Sequence, residues 1–154
     1  MTLLEKFLSK IQLIKGLKPK YVSGGSGTNG TCDCVGLVIG ALRRAGIKYT
    51  GIHGSNWFAR KELVSLDKIE GVESLQVGMA VFQTYEPGQA GYALPGRYKK
   101  GGAYYNGDVR DYMHIGIVTS VDPLQITHMW KPTVKVDTSL RWWTHKGWIK
   151  KLGA

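Results

Sequence analysis

The sequence predicts an α+β fold, with a helix packed on an antiparallel β-sheet, and three observations carry that prediction. Apolar residues near the N-terminus recur at helical spacing. A glycine-rich loop then runs into a second helical stripe at 31–46. The last part of the chain holds short β-branched runs separated by only a few residues. Helices early and strands late is the order of an α+β domain, and close spacing between strands marks an antiparallel meander.

Leu3, Leu4, Phe7, Leu8, Ile11 and Ile14 stand three or four residues apart, so the first segment is an amphipathic helix that Gly16 and Pro19 end. Tyr21 to Gly30, YVSGGSGTNG, is loop chemistry. From Thr31 to Gly46 the sequence TCDCVGLVIGALRRAG turns helical. Asp33 suits the N-cap, Val35, Leu37, Val38, Leu42 and Ala45 form the stripe, Arg43 and Arg44 suit the last turn, and Gly46 stops it. A shorter helix is expected over Ser55–Lys61 with Ser55 as its cap and with Trp57 and Phe58 as anchors. A turn at Val77–Gly78 leads to a strand at Met79–Phe82. Glu86 to Asp111 is rich in Gly, Tyr and Lys and reads as a long loop or irregular hairpin, a length that in a compact domain points to function or disorder. His114–Ser120, Leu124–Trp130 and Thr133–Val136 are the strands of the meander, and Trp142, Trp143 and Trp148 close against the core.

The chain of 154 residues is expected to be one domain, 1–154, and long enough to bury a core without staples. A hydrophobic fraction of 43% and a charged fraction of 21% exclude a disordered chain, and no apolar run is long enough to span a membrane. A monomer is expected. The net charge of +10 predicts attraction to an anionic partner such as an anionic cell-wall polymer. The basic residues are scattered, with no basic stripe, so nucleic acid is not expected as a partner. The N-terminal segment lacks a signal-peptide pattern, because Glu5, Lys6 and Lys10 interrupt its apolar residues. The expectation is synthesis in the cytoplasm, with any action outside the cell depending on another export route.

Cys32 and Cys34 are the two cysteines. One residue apart, they would close a very small strained ring, so this is not a disulfide scaffold. A zinc site would need histidines to complete it and is a weak alternative. Cys34 falls at the first helical position, where the dipole and free amides favour a thiolate, the nucleophilic form of cysteine. A buried, inert cysteine is the plainer alternative. Such a nucleophile needs a base and an orienting partner. His114 begins one predicted strand and His128 lies near the far end of the next, so antiparallel pairing brings them together. If that end of the sheet packs on the Cys34 helix, the order is Cys34, His114, His128, with His114 drawing the thiol proton and His128 holding its ring. His53 and His145 have no comparable placement, and Asp111 reads as a solvated loop carboxylate.

Four segments resemble the NlpC/p-sixty family of bacterial cell-wall cysteine peptidases: YVSGG at Tyr21–Gly25, DCVGLV at Asp33–Val38, VGMAVF at Val77–Phe82 and HIGIV at His114–Val118, followed by His128. They run in order from Tyr21 to about His128. Val35 stands where the family usually has a small Ser, Ser23 where it has an aromatic residue, and the 86–111 stretch is longer than is common. The resemblance implies a papain-like core with a Cys34–His114–His128 triad. It implies substrate contacts from Tyr21, Asp33 and Gly25, and hydrolysis of peptidoglycan stem peptides, typically at the bond between D-γ-glutamate and the following diamino acid. It implies no cofactor and no metal. Without a signal peptide, such a protein would be phage-borne or exported by a secretion machine to act at the bacterial cell wall. An amidase or acyltransferase of the same fold, or a non-catalytic wall-binding module, are the alternatives.

Overall fold

The computed structural model describes residues 1–153. Helix α1 spans Leu3–Gly16 and opens on a capping box, in which Thr2 Oγ1 accepts from Glu5 N–H and the Glu5 carboxylate accepts from Thr2 N–H. Its Phe7, Ile11 and Ile14 are buried, as the helical spacing requires. Strands β1 (Lys20–Tyr21) and β2 (Thr31–Cys32) form a small parallel pair that flanks the glycine-rich loop. Helix α2 (Cys34–Arg44) follows directly, with Asp33 as N-cap, and is buried from Cys34 to Leu42.

Two glycines explain how α2 sits so close to that loop. A Cβ on Gly36 would stand 1.7 Å from the Gly25 carbonyl oxygen, and one on Gly40 would stand 2.0 Å from that of Ser26. The helix therefore lays a bare face on the loop backbone. Helix α3 (Ser55–Lys61) matches the expected bounds, but Gly54 occupies the cap and Ser55 is already helical. Phe58 is buried and stacks on Tyr49 at 6.1 Å.

The remaining strands are β3 (Asp67–Lys68), β4 (Ala80–Tyr85), β5 (Asp111–Val121), β6 (Leu124–Met129), β7 (Val134–Asp137) and β8 (Trp143–Gly147). They make one antiparallel six-stranded sheet in the order β3-β8-β4-β5-β6-β7. The predicted meander is β5-β6-β7. The stretch around Trp143 does more than close against the core, because β8 inserts between β3 and β4 as a strand. One face of the sheet, through Phe82, Ile115, Ile117 and Met129, packs on α1, α2 and α3. The other carries Val81, Val118, Ile126 and Trp143, covered by Leu75 and Met79. No helix among the described residues is long and apolar enough to cross a membrane.

The 86–111 stretch is ordered by its own contacts and by α3. Arg60 donates to the carbonyls of Asp108 and Arg110, and its guanidinium covers the rings of Tyr98 and Tyr112. Tyr92 hydroxyl donates to Val109 carbonyl, and Tyr104 packs on Trp57 and Tyr98. Asp111 is buried rather than solvated, since Asn56 Nδ2 and Ala93 N–H donate to its two oxygens. Aspartate takes this position because two donors replace the water it loses.

Candidate active site

The loop before α2 and the first turn of the helix are tied together by one carboxylate. Asp33 Oδ1 accepts from Gly36 N–H at 2.7 Å, and Oδ2 accepts from Gly24 N–H at 2.7 Å. His53 Nε2 stands 2.9 and 2.8 Å from the same two oxygens. His53 is thus no ordinary surface histidine. It pins the segment before α3 to the residue that precedes Cys34. Gly25 lies directly beneath, its carbonyl accepting from Asp33 N–H at 3.0 Å, and a Cβ there would stand 2.6 Å from Cys32 N. Gly25 and Asp33 thus have structural partners of their own in fixing where Cys34 stands.

Cys34 is the first residue of α2 and is 8% exposed. Cys34 lies in the same buried core as Ile115 of β5, and Tyr21 packs against that core. Ile115 is the neighbour of His114 on that strand. No hydrogen bond joins Cys34 to His114. The second cysteine, Cys32, is buried and free, and its thiol donates to the Asp33 carbonyl at 3.3 Å.

The two histidines of the meander do meet. His114 Nε2 stands 2.8 Å from His128 Nδ1, with both rings buried and crossing at 81°. Gly116 makes room for this, since a Cβ there would stand 2.8 Å from Trp143 Cη2 and 3.2 Å from His128 Cβ. Behind His128 the network continues to a residue the sequence did not single out. His128 Nε2 stands 2.9 Å from Asp137 Oδ1, and Trp143 Nε1 donates to Asp137 Oδ2 at 2.9 Å.

This row of contacts fixes the protons. A carboxylate only accepts, so a His128 ring with a single hydrogen carries it on Nε2 and offers Nδ1 as an acceptor. His114 must then donate from Nε2, which leaves its Nδ1 as a bare lone pair. That nitrogen is the basic end of the chain Asp137–His128–His114. Trp130 and Trp143 flank the His114 ring at 5.6 and 5.7 Å between centroids.

Burial sets the resting charges. The Cys34 thiol is pushed up to about 12, chiefly by burial and further by the adjacent Asp33. His114 is pushed down to about 3 by burial, with the facing His128 adding to it. The Tyr21 phenol is pushed up to about 12 by burial, with Cys34 and Asp33 adding. The helix terminus was expected to favour a thiolate at Cys34. Loss of solvent outweighs it, because a half-charge at a helix end gives up to about 2 kcal/mol while burying an ion costs several. The resting pair is a neutral thiol and a neutral imidazole. Among the described residues no group of three or more His, Cys, Asp or Glu is placed to hold a metal ion.

No family model matches the sequence, and no curated protein does. Solved structures do. NlpC2 from Trichomonas vaginalis matches with a TM-score of 0.60 and 16% identity over 94% of this chain and 46% of that one. NlpC1 from the same organism matches with a TM-score of 0.57 and 17% identity over 93% of this chain and 44% of that one. A lipoprotein-like NLP/P60 family protein from Staphylococcus aureus subsp. aureus Mu50 matches with a TM-score of 0.57 and 16% identity over 96% and 41%. This chain spans less than half the length of each. The antiparallel sheet with a helix bearing Cys34 against it is the α+β fold of these NlpC and NLP/P60 structures.

Proposed function

We propose that this chain is a cysteine peptidase that cleaves peptidoglycan stem peptides at the D-γ-glutamyl–diamino acid bond. The observation that supports it most is the Asp137–His128–His114 row, which leaves Nδ1 of His114 unprotonated on the strand that packs against the Cys34 helix. In this reading the Cys34 thiol gives its proton to His114 Nδ1 and the sulfur attacks the substrate carbonyl. The imidazolium that forms is held by His128 and, through it, by Asp137. The oxyanion takes the Cys34 N–H and the Tyr21 hydroxyl as donors. His114 returns its proton to the leaving amine, which leaves a thioester on Cys34. Water then attacks the thioester while His114 takes its proton, and the acid departs as the thiol is restored. Asp33 and Gly25 act by shaping the wall beside the nucleophile. The net charge of +10 would hold the protein on the anionic bacterial cell wall.

Incubation of purified peptidoglycan fragments with wild type and Cys34→Ala, followed by mass spectrometry, tests this reading. New products with a free diamino-acid amine are expected from wild type alone. Equal cleavage by both proteins would remove Cys34 from the mechanism, and products without that amine would favour an amidase or acyltransferase on another bond.

The burial of Cys34 and its neutral resting state favour one second reading, a wall-binding module with an inert thiol. Alkylation separates the two. A catalytic Cys34 reacts with iodoacetamide at a rate that falls in His114→Ala, whereas an inert one reacts slowly in both.

A further inference from the structure

Beside the catalytic groups two tryptophans are exposed, one just after β6 and one just before β8. Trp142 is 67% exposed and Trp130 is 44% exposed. Trp142 also holds a φ of 77°, a left-handed conformation that is strained for a bulky residue and persists where the surroundings impose it. The chain therefore accepts strain at the position where it also leaves a large indole in water. One face of that indole is covered by the Arg141 guanidinium at 5.0 Å, which leaves the other face open.

Both tryptophans line a groove of about 390 Å³ together with Gln83, Thr84, Tyr85 and Met113. That volume is in the range of ligand sites. Gln83, Met113 and Trp130 also line a smaller neighbouring cavity whose other walls are His114 and His128. The groove thus opens directly onto the catalytic pair. Trp130 is itself fixed, edge-on to Tyr21 at 5.4 Å and to His114 at 5.6 Å.

Open indole faces beside amide and hydroxyl groups are the chemistry that takes up a sugar ring. The axial C–H groups of a pyranose lie on the electron-rich indole face, and its hydroxyl and acetamido groups need polar partners at the rim. None of the six lining side chains is charged, and the Arg141 guanidinium is stacked on Trp142, which suits a neutral ring with polar substituents. We infer that the Trp130–Trp142 groove is a saccharide subsite, which seats an amino-sugar ring of the glycan to which the scissile peptide is attached. The inference rests on the peptidase reading for its choice of ligand. A stem peptide begins on the sugar's lactyl group, and two extended residues reach about 7 Å when α-linked, to which the γ-linkage adds only two bonds, so the ring rests near the catalytic groups.

The test is binding of the GlcNAc–MurNAc disaccharide to a Cys34→Ala background, read by indole N–H resonances in proton–nitrogen spectra. The Trp130 and Trp142 signals should shift on titration while those of Trp57 and Trp148 stay put. Trp142→Ala should weaken binding at least tenfold, and Trp142→Phe, which keeps a ring, should recover part of it. Trp142→Gly relieves the left-handed strain, so it should bind as weakly as the alanine variant while its Tm is held or raised, which separates lost binding from lost folding. Absence of any shift, or shifts equal in wild-type and Trp142→Ala backgrounds, overturns the subsite whether or not peptide is hydrolysed. Shifts as described, together with no Cys34-dependent hydrolysis of stem peptides, would keep the saccharide site and sink the peptidase reading.

Discussion

His128 Nε2 stands 2.9 Å from Asp137 Oδ1, and this one contact settles which nitrogen of His114 is basic. The carboxylate requires a hydrogen on His128 Nε2, so His128 Nδ1 must accept, so His114 must donate from Nε2. The free Nδ1 of His114 is set two residues away, at Asp137.

Asp137→Asn should therefore be far more damaging to catalysis than to folding. Asp137 is about one-third exposed on its side chain, so the fold tolerates the amide. The amide can present its NH₂ to His128 and invert the ring's hydrogen, or accept more weakly. A loss of about 10- to 100-fold in kcat/KM is expected, the scale of a lost orienting partner, with Tm changed by only a few degrees. Steady-state kinetics beside a melting curve checks this, and an unchanged kcat/KM would show that the carboxylate orients nothing.

Acid should unfold the protein through His114. Its folded-state value is about 3, below the ordinary 6.5, so the unfolded chain binds a proton that the folded site refuses. Stability is then fully present above about pH 6.5 and falls as pH drops toward 3, by up to a few kcal/mol. Denaturant midpoints measured from pH 7 to 4 should decline in wild type and decline less in His114→Gln. Parallel slopes for the two proteins would assign the acid loss to other groups.

Gly116→Ala places a methyl 2.8 Å from Trp143 Cη2 and 3.2 Å from His128 Cβ. The rings must move, and overpacking of this kind costs about 1–3 kcal/mol. Because Trp143 holds Asp137 and His128 holds His114, activity should fall by more than the stability loss alone explains. Chemical denaturation together with kcat/KM at a temperature where the variant is fully folded separates the two effects.

The sequence made the local pieces of this arrangement visible. Helix α1 announced itself through Phe7, Ile11 and Ile14, and α2 through Asp33 and its stripe, because cap chemistry and a 3.6-residue period are written within a few residues. The β5–β6 hairpin did so through β-branched runs and a short turn, which placed His114 near His128. What escaped depends on distant packing. Asp137 is one carboxylate in a short strand, with nothing nearby to mark it. His53 meets Asp33 across 20 positions. Strand β8 reads WTHKG, with no apolar alternation to distinguish it from a tail. The protonation of Cys34 follows from how deeply the sheet buries it, which a helix-end pattern does not encode.

The most direct measurement is the protonation of the histidine rings, read from two-bond proton–nitrogen correlations at neutral pH on protein labelled with nitrogen-15. Both His114 and His128 should carry their hydrogen on Nε2, with Nδ1 unprotonated, and Asp137→Ala should disturb this pattern at His128 and at His114 together. A hydrogen on His114 Nδ1 in the wild-type protein would contradict the account, since the nitrogen assigned to take the Cys34 proton would already be occupied.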